Sequence, residues 1–119
     1  MAEPKVSLED IVAAEQAIRG QVRETPVWPL RVRSPGPDVD LLLKCEHLQL
    51  TGSFKIRGAL NFVRQLSDDE AKRGLVAMSA GNHAQGVALA ARARGIGATI
   101  VVPATAPLAK ISATRGLGA

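Results

Sequence analysis

Apolar positions along the chain follow two rhythms. From Leu41 onward, short apolar runs ("DLLLKCE", "GLVAMS" and "ATIVVPA") alternate with three longer segments, about Ser53 to Leu66, Asn82 to Arg94 and Pro107 to Arg115. Short unbroken runs suit strands buried on both faces, and the first of them, Leu41–Cys45, is read that way; the longer segments suit helices. Strand and helix in regular alternation predict βαβ units and a parallel sheet, an α/β fold. Ahead of this pattern, Ser7 can cap a helix whose stripe of Leu8, Ile11, Val12, Glu15 and Ile18 stops near Gly20, which predicts a packing helix. Between the two parts, Pro26 and Pro29 in "TPVWPL" forbid a regular central strand, and "RSPGPDVD" (Arg33 to Asp40) is dense in turn formers. That stretch reads as a surface loop or linker. No internal repeat or low-complexity segment breaks the pattern.

Composition narrows the class without changing it. The chain has 119 residues, 46% hydrophobic and 22% charged, enough for one domain with its own core. Aromatics make up only 3%, so the core is expected to consist of small aliphatic contacts between helices and sheet. A single cysteine, Cys45, cannot form an internal disulfide and fits a reducing compartment. The N-terminus lacks a basic region followed by an apolar one, and no apolar run approaches the roughly 18 residues of a membrane span. The expectation is a cytoplasmic protein with no membrane partner. The net charge of +4 comes from fifteen basic residues spread along the chain, without aromatic interleaving, so no nucleic-acid partner is expected.

Candidate chemistry falls at the strands' carboxyl ends, where parallel α/β sheets bind ligands. "QLTGSFKIRGA" follows the first strand and "SAGNHAQG" (Ser79 to Gly86) the second. The first sets Lys55 at a helix start, where the macrodipole least favours a cation. The second sets a glycine among small residues at a helix start, leaving backbone N–H groups free to grip a carboxylate or phosphate. Singly, each has a plainer reading: Lys55 as a solvated lysine, Asn82 as an ordinary N-cap, His83 as a histidine without a ligand, and Gly81 and Gly86 as turn and packing residues. Together they pair an amine with an anion seat, which is what amino-acid chemistry through a Schiff base requires.

On these residues the chain resembles the serine/threonine dehydratase family, pyridoxal-phosphate enzymes of fold type II. "KCEHLQLTGSFKIRGA" is similar to the family's cofactor-lysine signature and "SAGNHAQG" to its substrate loop, while "RETPV" and "VVPATAPLAKISATRGLGA" are similar to flanking segments. The resemblance implies that Lys55 carries the cofactor as a Schiff base and later takes the substrate's α-proton. It implies that Phe54 packs against the cofactor and that Asn82 hydrogen-bonds the phenolic oxygen of the pyridine ring. Ser79, Ala80, Gly81, Asn82 and His83 form the substrate loop, all but Ala80 holding the carboxylate. Imine formation needs a neutral amine, which a helix N-terminus and partial desolvation favour. Racemases of the group carry a serine where this chain has Ala80, acting as an acid on the opposite face of the substrate; alanine has no proton to give. The implied reaction is therefore deamination of L-threonine to 2-oxobutanoate and of L-serine to pyruvate, with ammonia released, and serine racemase or a related lyase is the alternative.

The family's glycine-rich phosphate loop and its partner for the pyridine nitrogen have no counterpart in these 119 residues. Gly116 and Gly118 stop the last helix and the chain ends where another strand is expected, as in an N-terminal fragment cut before the rest of the large domain. Residues 1–40 are expected to belong to that large domain and residues 41–119 to be a partial small domain carrying the lysine and the loop. The full-length protein is expected to be a homo-oligomer without metal ligands in this segment, and the fragment alone to be inactive. Outside enzymology, "SAGNHAQG" could serve as a simple anion nest, or an open sheet edge could join a partner chain.

Overall fold

The computed structural model describes residues 5–32 and 39–119, without the side chains of Arg31 and Val32. Helix α1 (Leu8–Ile18) starts at Ser7, whose hydroxyl accepts from the Asp10 N–H while the Asp10 carboxylate accepts from the Ser7 N–H. This reciprocal box satisfies donors that a helix start otherwise leaves open. Of the expected stripe, Ile18 is buried, whereas Leu8 and Ile11 are largely exposed, so α1 packs through its C-terminal end.

Strands β1 (Val27–Val32) and β2 (Val39–Lys44) form an antiparallel pair with Val27 opposite Lys44 and Val32 opposite Val39. Two expectations change here. The run at Leu41–Cys45 does not open the parallel sheet, and β2 is exposed along its whole length rather than buried on both faces. The apolar run fitted either environment, because periodicity says nothing about which partner a strand finds. Pro29 lies within β1 opposite Leu42. A two-stranded ribbon consists only of edges, so a missing N–H is tolerated on its open side. Of the "RSPGPDVD" turn, residues 33–38 lie outside the described residues, and Val39 and Asp40 already belong to β2.

A 3-10 turn (Glu46–Leu48) leads into α2 (Lys55–Gln65), then α3 (Asp68–Arg73), β3 (Leu75–Met78), α4 (Asn82–Arg94), β4 (Ala98–Val101) and α5 (Leu108–Gly116). The β3–α4–β4 unit is the expected crossover: its strands pair in parallel, Leu75 beside Ala98 and Met78 beside Val101. Exposure alternates along both strands, so Leu75, Ala77, Ala98 and Ile100 pack on the core and Val76 and Met78 face outward. The core is an α2–α4 interface of Ile56, Ala59, Leu60, Val63, Val87 and Ala90, joined by Ile18. At the far end of α2, Arg94 donates to the carbonyls of Val63 and Leu66, capping that helix from α4. Helix α3 was not anticipated; its Ser67–Glu70 capping box was the available signal. Among the described residues no helix is long and apolar enough to cross a membrane.

Candidate active site

Lys55 is the first residue of α2, and the residue before it, Phe54, cannot cap a helix. The Lys55 N–H points instead at the hydroxyl of buried Ser53, 3.4 Å away. Its Nζ rests 4.9 Å from the centre of the Phe54 ring, a cation–π contact. The lysine is exposed, so the desolvation expected from the sequence is not supplied by the residues around it here.

Helix α4 begins at Asn82, directly after β3. Its N-cap is Gly81 rather than Asn82, so no side chain caps it. The Ser79 hydroxyl accepts from the Gly81 N–H at 3.2 Å, and the Ser79 N–H donates to the Val101 carbonyl at 3.1 Å. The turn at the end of β3 is thus fixed on the neighbouring strand. Helices α1 and α3 start with complete capping boxes, whereas the N-cap residues of α2 and α4 make no side-chain capping bond.

The two loops meet at an apolar cleft of about 500 Å³. Phe54, Lys55 and His83 line it, with Phe62 of α2, Val76 of β3 and Val87 of α4 among its walls. Ser79, Ala80, Gly81 and Asn82 form the turn that leads to His83 and are not part of the cleft lining. What brings the helices so close is Gly86: a Cβ there would lie 3.2 Å from the Lys55 carbonyl carbon and 3.3 Å from the Ile56 nitrogen. A primary amine and an aromatic face on one open cleft, over a helix contact that a side chain would fill, fit a planar aldehyde cofactor. Among the described residues, no group of three or more His, Cys, Asp or Glu could hold a metal ion.

A polar cluster that sequence reasoning did not assign stands beside the lysine turn. Arg57 makes a two-pronged ion pair with Glu46, Nε to Oε2 at 2.8 Å and Nη2 to Oε1 at 2.7 Å. Thr25 donates its hydroxyl to the same carboxylate, and Lys44 Nζ donates to the Thr25 carbonyl at 2.6 Å. Gln49, almost fully buried, accepts from the Arg23 N–H and donates to the Arg23 carbonyl, both at 2.9 Å. The Arg57 guanidinium, helped by Thr25 against the cost of burial, holds the Glu46 carboxyl down to about 2. The signal was polar residues punctuating "RET" and "KCEHLQ", segments noted above for family likeness but given no role.

Comparisons with known proteins agree on one family. The family model described as "Pyridoxal-phosphate dependent enzyme" matches residues 18–119. The chain is 54% identical over 114 residues to an L-threonine ammonia-lyase of Thermotoga maritima, covering 96% of this chain and 28% of that protein. A solved threonine deaminase from T.th. superposes with a TM-score of 0.80 at 42% identity, covering 96% of this chain and 35% of that one. A serine racemase from Dictyostelium discoideum superposes with a TM-score of 0.84 at 37% identity, covering 96% and 37%. The chain therefore spans about a third of the length of these relatives.

Proposed function

Since the chain belongs to the pyridoxal-phosphate-dependent enzyme family, we propose that it forms the part of a threonine/serine ammonia-lyase that carries the cofactor lysine and the substrate loop. The observation that carries this reading is the meeting of Phe54, Lys55 and His83 on one cleft. In this reading residues 1–40 go with one domain of the enzyme and residues 41–119 with the other, β2 bridging them. The assembled enzyme would be a homo-oligomer.

Pyridoxal phosphate, when bound, supplies an electron sink for the charge left at a substrate's α-carbon. Lys55 would hold the cofactor through its aldehyde carbon and, once released, take the α-proton. Phe54 would lie against the ring and Asn82 would donate to the phenolic oxygen. Ser79, Gly81, Asn82 and His83 would hold the substrate carboxylate at the uncapped start of α4, where free N–H groups and the helix dipole favour an anion. The substrate would be a small hydroxy-amino acid: L-threonine leaves as 2-oxobutanoate and ammonia, L-serine as pyruvate and ammonia.

The racemase likeness favours a second reading, in which a proton is returned to the opposite face of the α-carbon. Ala80 stands against it, because a methyl group donates no proton. Assay of the full-length enzyme for oxo acid and for D-serine decides between the two. Oxo acid from L-threonine, lost in Lys55→Ala together with the borohydride-reducible lysine adduct, is the expected result. D-serine accumulating with little oxo acid would overturn it.

A further inference from the structure

Neither Glu46 nor Arg57 lines the cleft, yet the two share a doubly bonded fork with further bonds to Thr25 and the Arg23 carbonyl. We propose that the pair is a positioning device for Lys55, an inference that rests on reading Lys55 as the cofactor lysine. Arg57 lies in the first turn of α2, two residues past the lysine, and Glu46 lies in the 3-10 turn that precedes it. The pair closes the chain between them into a loop with fixed ends.

Three anchors act inside that loop. Gln49 ties its first half to Arg23, and the Gln49 carbonyl accepts from the Gly52 N–H at 2.8 Å. Gly52 turns the chain at φ +68°, a conformation that suits glycine. Buried Ser53 meets the Lys55 N–H. An exposed ion pair contributes little, because water screens it and its side chains are free to move. Here the two side chains are only 30% and 16% exposed, the fork is doubly engaged, and Thr25 and the Arg23 carbonyl occupy further bonding positions. A planar fork of this kind fixes orientation as well as charge, which lysine at position 57 would not do. Gly86 packed on its backbone and the ion pair two residues further on hold the lysine's Cα between two fixed contacts.

The test uses the full-length enzyme that carries these residues, pyridoxal phosphate in excess, borohydride trapping and peptide mass spectrometry. It reads the labelling of Lys55 relative to Lys72, an exposed lysine on α3. Peptide hydrogen exchange over residues 50–57 and 87–91 is measured in parallel. The wild-type chain should label Lys55 preferentially. Glu46→Gln and Arg57→Met should lower that preference by about tenfold or more, as loss of charge-assisted bonds implies, and speed exchange over residues 50–57 while leaving 87–91 protected. Arg57→Lys should not restore the preference. Should the stronger variants fail to fold, Thr25→Val, which removes one bond to Glu46 and no charge, should give an intermediate fall. Unchanged preference in the folded variants, with unchanged exchange, overturns the positioning role alone. A wild-type chain without preference for Lys55 overturns the cofactor-lysine reading, and the inference with it.

Discussion

Gly86 packs against the backbone of Lys55: a methyl carbon added to it would stand 3.2 Å from the lysine's carbonyl carbon and 3.3 Å from its carbonyl oxygen. The second turn of α4 is therefore the wall behind the first turn of α2. The segment expected to hold substrate and the segment carrying the lysine meet there, backbone on one side and a missing side chain on the other.

Gly86→Ala should lower stability by about 1–3 kcal/mol, the range for overpacking a filled interior, because the atoms it meets are backbone and cannot rotate away. Gly58→Ala, in α2, meets nothing within 4 Å. It should raise stability by about 0.5–1 kcal/mol through helix propensity. Urea unfolding of the two variants measures both effects. Equal shifts of the same sign would contradict the packing argument.

Glu46 makes stability depend on pH in a defined window. Its carboxyl falls from an ordinary 4.5 to about 2 in the folded chain, chiefly through the Arg57 hydrogen bonds. A depressed carboxylate lends its full stability above the unfolded value and loses it as pH drops through the folded one. Melting temperature should fall as pH goes from about 5 towards 2, and Glu46→Gln should flatten that part of the curve. The variant should also be less stable at neutral pH by about 1.5–3 kcal/mol, as hydrogen bonds to charged groups are worth. A titration slope unaltered by the substitution would show that other carboxylates carry the acid sensitivity.

Helices α1, α2, α4 and α5 and the parallel pair were readable from the chain because period and punctuation specify them locally. Ser7 with Asp10 writes one helix start, and Gly95 in a left-handed conformation writes the end of α4. The partner of "DLLLKCE" was not readable. Pairing with β1 is a long-range choice, and the two prolines spoke against a central strand there without saying whether an edge strand forms. Around the lysine, residue types suggested the amine and the anion seat. They did not reveal that His83 is the residue of its turn lining the cleft, or that Gly86 sets the helix spacing. Both depend on how two helices cross, which no local pattern encodes.

Arg94 separates hydrogen bonding from charge. It donates to the carbonyls of Val63 and Leu66 and also comes within 3.7 Å of the Asp68 carboxylate, whose side chain is 95% exposed. Arg94→Met strips a cap from the C-terminal end of α2 and should cost about 1.5–3 kcal/mol. Asp68→Asn removes only a screened partner and should change stability by less than about 0.5 kcal/mol. Parallel denaturation curves settle the ranking; the reverse order would mean that the ion pair, and not the cap, holds this corner.

The cleft also bears on what the 119-residue chain does alone. Of the residues lining it, only Lys55 and His83 carry side-chain nitrogen, and the rest are apolar or glycine. An amine and a ring face suit the aldehyde end of pyridoxal phosphate, but a doubly charged phosphate needs several donors, each worth about 1.5–3 kcal/mol when charge-assisted. Two or three missing donors imply an affinity lower by several powers of ten, since 1.4 kcal/mol is about tenfold. Isothermal titration should therefore find binding much weaker than ~1 μM, which corresponds to about 8 kcal/mol, and a parallel assay should find no oxo acid formed from L-threonine. Tight saturable binding with turnover would mean that the phosphate finds its donors within these residues, the uncapped start of α4 first among them, and that the cleft is a complete site as it stands.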